Sequence, residues 1–149
     1  MAPVTYTHSD GRSGWMISFP DAPDPEEILI THLRGDRFRL DTTPAFSDFA
    51  SFGDIVELTI VGDRHLICHR VVQKSGLRTI RVLESKGFVS SAAWVRLCER
   101  IAELGGHWEQ VFGGYLMLHV PVDSVVTVDE ALASARAEHA RSRKPREAE

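Results

Sequence analysis

Four stretches decide the fold of the second half of the chain: LRTIRVL (77–83), SAAWVRLCERIAELGG (91–106), WEQVFGGYLMLHVP (108–121) and TVDEALASA (127–135). The first is a β-type run between turn residues. In the second, Trp94, Leu97, Cys98, Ile101 and Leu104 recur at helical spacing on one face. Ser90 or Ser91 can cap that helix, and Gly105-Gly106 stops it. In the third, Gly113-Gly114 is a two-residue hairpin turn between Trp108–Phe112 and Tyr115–Val120, and Pro121 ends the second strand. In the fourth, Thr127 and Glu130 match a capping box, with Val128, Ala131, Leu132 and Ala135 as an apolar stripe. Strand, helix, strand, strand, helix is most of a ferredoxin-like unit. Its missing final strand is expected from the N-terminal sheet.

Upstream, the chain reads as β-rich. Trp15 to Phe19 is a short strand, and DAPDPEE (21–27) is a turn. Ile28–Leu33 and Phe38–Leu40 form a hairpin around Arg34-Gly35-Asp36-Arg37. Ile55–Val61 and Leu66–Val72 flank a Gly62-Asp63 turn, and Ser75-Gly76 turns the chain into Leu77–Leu83. Turn signals roughly every 8–12 residues fit a small sheet or barrel. The expectation is an α+β fold: one domain over 14–140, with a small β-sheet or barrel-like half (14–76) and a ferredoxin-like βαββα half (77–140) packed against it. Residues 1–13 read as a loose leader and 141–149 as a disordered tail, because neither has anything to bury.

Composition bounds the function. A chain of 149 residues is one domain, or one with a small appendage, and buries roughly two-thirds of its unfolded surface. With 43% apolar and 26% charged residues it has an ordinary globular composition. A formal net charge of −4 argues against nucleic-acid binding, which needs a basic face; the basic run in Arg141–Arg146 is short and reads as solvated. Cys68 and Cys98 lie in apolar runs and read as buried free thiols. No apolar run approaches the ~18 residues of a membrane span, and the first residues lack a signal-peptide pattern, so the cytoplasm is the expected location.

The stretch from Phe38 to Arg81 carries a second signal. Leu40-Asp41 with Pro44 and Phe46, Gly53-Asp54-Ile55-Val56, and Ser75-Gly76 with Thr79 and Arg81 follow in order, and Leu116–Pro121 closes the set. From about Ile28 to about Val122 the chain resembles an uncharacterised bacterial family, domain of unknown function 4265. The family pattern has asparagine after the aspartate, where Thr42 stands here. The resemblance implies no activity, no cofactor and no catalytic residue.

The residues themselves offer a few candidates. Ser75 and Thr79 are hydroxyls beside Gly76, with His69 six residues before Ser75 as a base if the two strands form a hairpin. The plainer reading makes Ser75-Gly76 the hairpin turn itself. Asp41 and Asp54 are a carboxylate pair or turn residues. Arg81 is expected to pair with one of them, so that Asp41, Asp54, Ser75, Thr79 and Arg81 form a polar site between the halves or line an anion site. His65 and His69 sit about 13 Å apart on a strand, too far for one metal, and His107 and His119 contribute only if the fold gathers them; no metal and no cofactor are expected. Phe46, Phe49 and Phe52, three apart, suggest one helical turn that covers a barrel end or anchors a partner. Tyr115, Met117 and His119 share the face of their strand opposite Leu116, Leu118 and Val120; that face is expected to meet the N-terminal half or a second copy in a homodimer.

Weighing these, we expect a non-catalytic protein-interaction module of a bacterial cytoplasm, of accessory or immunity type. The alternative is a small enzyme or small-molecule binder with its site between the halves.

Overall fold

Two strands that lie at opposite edges of one sheet are separated by a single residue, Leu29. The computed structural model describes residues 14–143, and the chain divides into two units between Ser75 and Gly76. The first unit holds β1 (Trp15–Ser18), β2 (Glu26–Ile28), β3 (Ile30–Arg34), β4 (Arg37–Leu40), β5 (Ile55–Gly62) and β6 (His65–Gln73). Their order across the sheet is β2-β1-β6-β5-β4-β3. Because β2 and β3 are consecutive in the chain yet outermost in the sheet, the sheet has to curl, and it forms a half-barrel. The seam is pinned at Leu29: its N–H donates to Thr42 Oγ1 (2.9 Å) and its carbonyl accepts from the Asp41 N–H (2.8 Å).

The inner face follows the period-two rule. Ile17, Phe19, Ile28, Leu40, Ala50, Val56, Leu58, Leu66 and Cys68 fill it, with Trp15, Phe38 and Phe49 packed at its margin. The long β5–β6 hairpin shifts register three times, and such bulges bend a strand pair in the direction a barrel requires.

The second unit runs β7 (Leu77–Leu83), α1 (Lys86–Val89), α2 (Ala92–Glu103), β8 (His107–Phe112), β9 (Tyr115–Pro121), a 3₁₀ turn at Val122–Ser124, and α3 (Val125–Ser142). Its sheet has the order β7-β9-β8 with both pairings antiparallel, the arrangement of a ferredoxin-like unit without its last strand. Leu116, Leu118 and Val120 of β9 face Phe88, Trp94, Leu97, Cys98, Ile101, Val128, Leu132 and Ala135 in one core. The α2 helix begins where Ser91 accepts the Trp94 N–H (3.2 Å). Cys68 and Cys98 are buried free thiols, and burial pushes both up to about 12.

Several local expectations are corrected. Ser75-Gly76 is not a hairpin turn: β6 and β7 lie in different sheets, and Gly76 (φ +83°) redirects the chain. Among the described residues no strand of the first sheet joins the second, so the ferredoxin-like unit stays three-stranded. The β5–β6 turn is Asp63-Arg64, one residue later than expected. Arg64 takes φ +52° there while its guanidinium donates to Gly14 O (2.8 Å) and lies over the Trp15 ring. Glu26 and Glu27 belong to β2 rather than to a turn. Ile28–Leu33 is broken at Leu29 into two strands. Thr127 and Glu130 do not cap α3, which starts at Val125 after a Ser124 that makes no side-chain cap. The same helix runs to Ser142, so Arg141 and Ser142 are helical rather than tail. Arg143 follows as the residue that ends the helix, and the loose leader and residues 144–149 lie outside the described residues.

His139 of α3 packs edge-on against Phe88 (centroids 5.7 Å apart), and neither ring nitrogen has a hydrogen-bond partner among the described residues. Unpaired buried polar atoms cost about 1–3 kcal/mol. His139→Leu is therefore expected to raise unfolding stability by about 1 kcal/mol, read as a higher urea midpoint with unchanged slope. A lower midpoint would show that the imidazole contributes something the packing does not reveal.

Candidate functional site

The residues singled out in the sequence fall into two polar constellations, one in each unit. In the first unit the centre is Asp54, whose side chain is 1% exposed. It stands just before β5, where Leu40 N–H donates to Asp54 O (2.9 Å) and Gly53 N–H to Leu40 O (2.8 Å). One carboxylate oxygen accepts the Ser75 N–H (2.8 Å); the other accepts the Ser51 N–H (3.0 Å) and lies 3.5 Å from Lys74 Nζ. Gly53 (φ +83°) passes so close to Ser75 that an added Cβ would sit 2.9 Å from the serine Cβ. Gly53-Asp54 and Ser75-Gly76 are thus one structural clasp, in which Asp54 ties the end of β6 to the start of β5. The serine takes part through its backbone.

Asp41 is tied separately. It accepts from the Thr31 hydroxyl (2.5 Å) and from Arg39 Nε (2.9 Å). Asp41 and Asp54 each have their own local partners. Residues 41–54 between them form no helix, so the three phenylalanines do not share a helical turn. Instead the loop is braced by carboxylates from the β1–β2 segment. Glu26 accepts the N–H groups of Ala45 (2.6 Å) and Phe46 (3.0 Å), while Asp21 accepts from the Ser47 hydroxyl (2.6 Å) and the Asp48 N–H (3.0 Å). Thr43 Oγ1 accepts the Phe52 N–H (2.8 Å). The Ser47 hydroxyl beside Asp21, with the Asp48 amide, holds its carboxyl below the usual range against the opposing effect of burial. Phe49 packs against the barrel core, Phe52 is half-buried, and Phe46 is 74% exposed.

In the second unit, Thr79 and Arg81 lie on the face of the sheet away from the helices. Strand register sets what they meet. Thr79 is directly opposite His119, and His119 is directly opposite His107. Thr79 Oγ1 is 2.9 Å from His119 Nδ1, and His119 Nε2 is 2.5 Å from Glu109 Oε2. The His107 ring stacks beside His119 with centroids 6.2 Å apart. Arg81 donates to the Tyr115 hydroxyl (2.9 Å) and to Met117 Sδ (3.2 Å). Met117 and His119 are both buried.

The base expected for Thr79 is therefore misassigned. His69 bonds the Thr59 hydroxyl (2.7 Å) in the first sheet, and the imidazole beside Thr79 is His119. His65 bonds the Ser18 hydroxyl (2.9 Å). The fold does gather His107 and His119, but among the described residues no three His, Cys, Asp or Glu side chains group as a metal site. Glu109 was missed altogether. Counting back from the Gly113-Gly114 turn pairs Trp108 with His119 and Glu109 with Leu118; the bulge between Gln110 and Phe112 shifts the register by one and brings Glu109 to the face of His119.

Two measurements check this geometry. Asp54→Ala strands two buried N–H groups and is expected to cost about 3 kcal/mol in urea unfolding, with Asp54→Asn costing less because it keeps one acceptor. Equal, negligible costs would remove Asp54 from its role in the clasp. His107 is held below its usual pKa by burial, with Glu109 pulling upward and His119 adding to the depression. The unfolded chain then takes up a proton at His107 before the folded one does, so stability falls as the pH drops through about 6.5. His107→Gln is expected to flatten that part of the stability–pH curve, and an unchanged slope would refute the assignment.

The half-barrel and three-stranded unit have a counterpart among solved structures. A hypothetical protein from Neisseria gonorrhoeae, known from its crystal structure, is similar over 92% of this chain and 84% of its own, with a TM-score of 0.55 at 19% identity. At that identity the likeness concerns the fold. No curated protein matches the chain. The family described as Domain of unknown function (DUF4265) matches residues 26–141, which include the Asp54 clasp, the braced loop and the Thr79–His119–Glu109 chain. The protein belongs to that family.

Proposed function

We propose that this chain is a protein-interaction module, and that loop 41–54 of the first unit is its contact element. The observation that carries this reading is Phe46, a large aromatic side chain left 74% exposed on a loop whose backbone is fixed at both neighbouring amides. An exposed phenylalanine on a slack loop would lose ordering entropy on binding. Here Glu26 and Asp21 have already ordered the backbone, so little of that cost remains. Rigidly presented aromatics are frequent anchors in protein interfaces.

The surroundings favour a basic partner. Asp21, Asp24, Glu26, Glu27 and Asp48 all lie on the segments that make or brace the loop, and the chain carries a net charge of −4. A protein with an apolar pocket rimmed by lysine or arginine fits that chemistry. Among described residues no helix is long and apolar enough to cross a membrane. We place the module in a bacterial cytoplasm, as an accessory or immunity-type protein that binds one partner.

The test begins with affinity capture on the full chain and continues with the captured protein purified. Its affinity is then measured against the wild type and Phe46→Ser. The expected result is a loss of about 30-fold, the size of an interface hot spot, with an unchanged circular dichroism spectrum. Equal affinities would exclude the loop as the contact element.

A further inference from the structure

We propose that Thr79 is an activated nucleophile, and that the helix-free face of the β7-β9-β8 sheet is an acyl-transfer site for carboxylic esters. This inference concerns the second unit alone and does not rest on the binding role of the loop. Its basis is a continuous chain of three groups drawn from three strands. Thr79 Oγ1 lies 2.9 Å from Nδ1 of His119, and Nε2 of the same ring lies 2.5 Å from Glu109 Oε2. An ionised carboxylate only accepts hydrogen bonds, so the ring proton sits on Nε2 and Nδ1 offers its lone pair to the hydroxyl. Thr79 therefore donates to His119, and His119 donates to Glu109. That is the order in which a nucleophile, its base and the group that orients the base have to be joined.

The imidazole is the most buried of the three groups, with the Glu109 side chain 13% exposed. His119 is 1% exposed, whereas Thr79 is only half-buried and keeps part of its surface in solvent. Directly paired strand positions fix the geometry: Thr79 and His119 are opposite one another, so the contact is set by backbone register rather than by loose side chains. Arg81 lies on the same face two residues along β7, where its guanidinium donates to the Tyr115 hydroxyl and to Met117 Sδ.

The step balances as follows. Thr79 Oγ1 bonds to the acyl carbon as its proton passes to His119 Nδ1. The carbon–oxygen bond to the leaving group then breaks, and the departing alkoxide takes the proton from His119. Water repeats the sequence in reverse, releasing the carboxylic acid and restoring the threonine. Glu109 keeps the Nε2 proton throughout and offsets the charge on the imidazolium.

A fluorophosphonate tests this directly, because an activated hydroxyl displaces fluoride at phosphorus and leaves a stable adduct. The full chain is expected to gain one phosphonyl group, located on Thr79 by peptide mass spectrometry. Thr79→Val should stay unlabelled and Thr79→Ser should label. Glu109→Gln should label at least about 10-fold more slowly, since the base loses its orienting carboxylate. The Ser variant keeps the hydroxyl and guards against loss of fold in the Val variant. No labelling of the wild type, equal labelling of Thr79→Val, or an unchanged rate in Glu109→Gln would each overturn the proposal.

Discussion

Leu29 joins strands that belong to opposite edges of a six-stranded sheet, and the first unit depends on that single residue. An ordinary open sheet keeps its edge strands far apart. Here a one-residue link between β2 and β3 makes flatness impossible, so curvature follows from chain connectivity. The backbone of Leu29 cannot pair within either strand, and it is satisfied instead by the Asp41 amide and the Thr42 hydroxyl. This gives a physical meaning to the position after Asp41. It needs a side-chain oxygen that can accept an N–H. A threonine hydroxyl meets that need, and an asparagine carbonyl would meet it equally.

The family positions in the first unit are explained by the same economy. Asp41 ties the end of β4 through Thr31 and Arg39, and Asp54 collects the amides of Ser51 and Ser75. A buried carboxylate with two backbone donors is costly to remove and hard to replace, because leaving those donors unpaired forfeits more than the bonds contribute. Gly53 is required beside it because any Cβ would press on Ser75. These positions read in sequence as turn chemistry: Asp54 spends its carboxylate on neighbouring backbone amides, and Asp41 on the side chains of Thr31 and Arg39.

Polar chemistry in the second unit has a different origin. Its sheet has one face filled by helices, and the alternation along β7, β8 and β9 sends every second residue to the other face. On that side stand Thr79, Arg81, His107, Glu109, Tyr115, Met117 and His119, a set far more polar than the core-facing Ile80, Val82, Leu116, Leu118 and Val120. Strand pairing then chooses the neighbours. The hydroxyl of Thr79 meets an imidazole because His119 is its register partner, and the imidazole meets a carboxylate because β8 is bulged and hydrogen-bonded to the far side of β9.

By itself the sequence determined the local elements. The α2 helix with its Ser91 cap, the β8–β9 hairpin at Gly113-Gly114, the β3–β4 hairpin at Gly35-Asp36, the buried state of both cysteines and the α+β class all follow from periodicity and turn residues, which act over a few positions. The α3 start was misplaced because a capping-box pattern also fits inside a helix, where Thr127 has no orphan amide to bind. What only the tertiary structure decided was pairing between distant segments. Ser75-Gly76 carries the signature of a hairpin turn, yet β6 finds its partners in β5 and β1 while β7 finds its own in β9. Turn residues state that the chain changes direction; they do not state which strand it will lie against. The same limit hid the imidazole beside Thr79. His69 is nearer in sequence, but hydrogen bonds of a sheet join residues forty positions apart as readily as ten, and His119 is the one that β9 carries to its side.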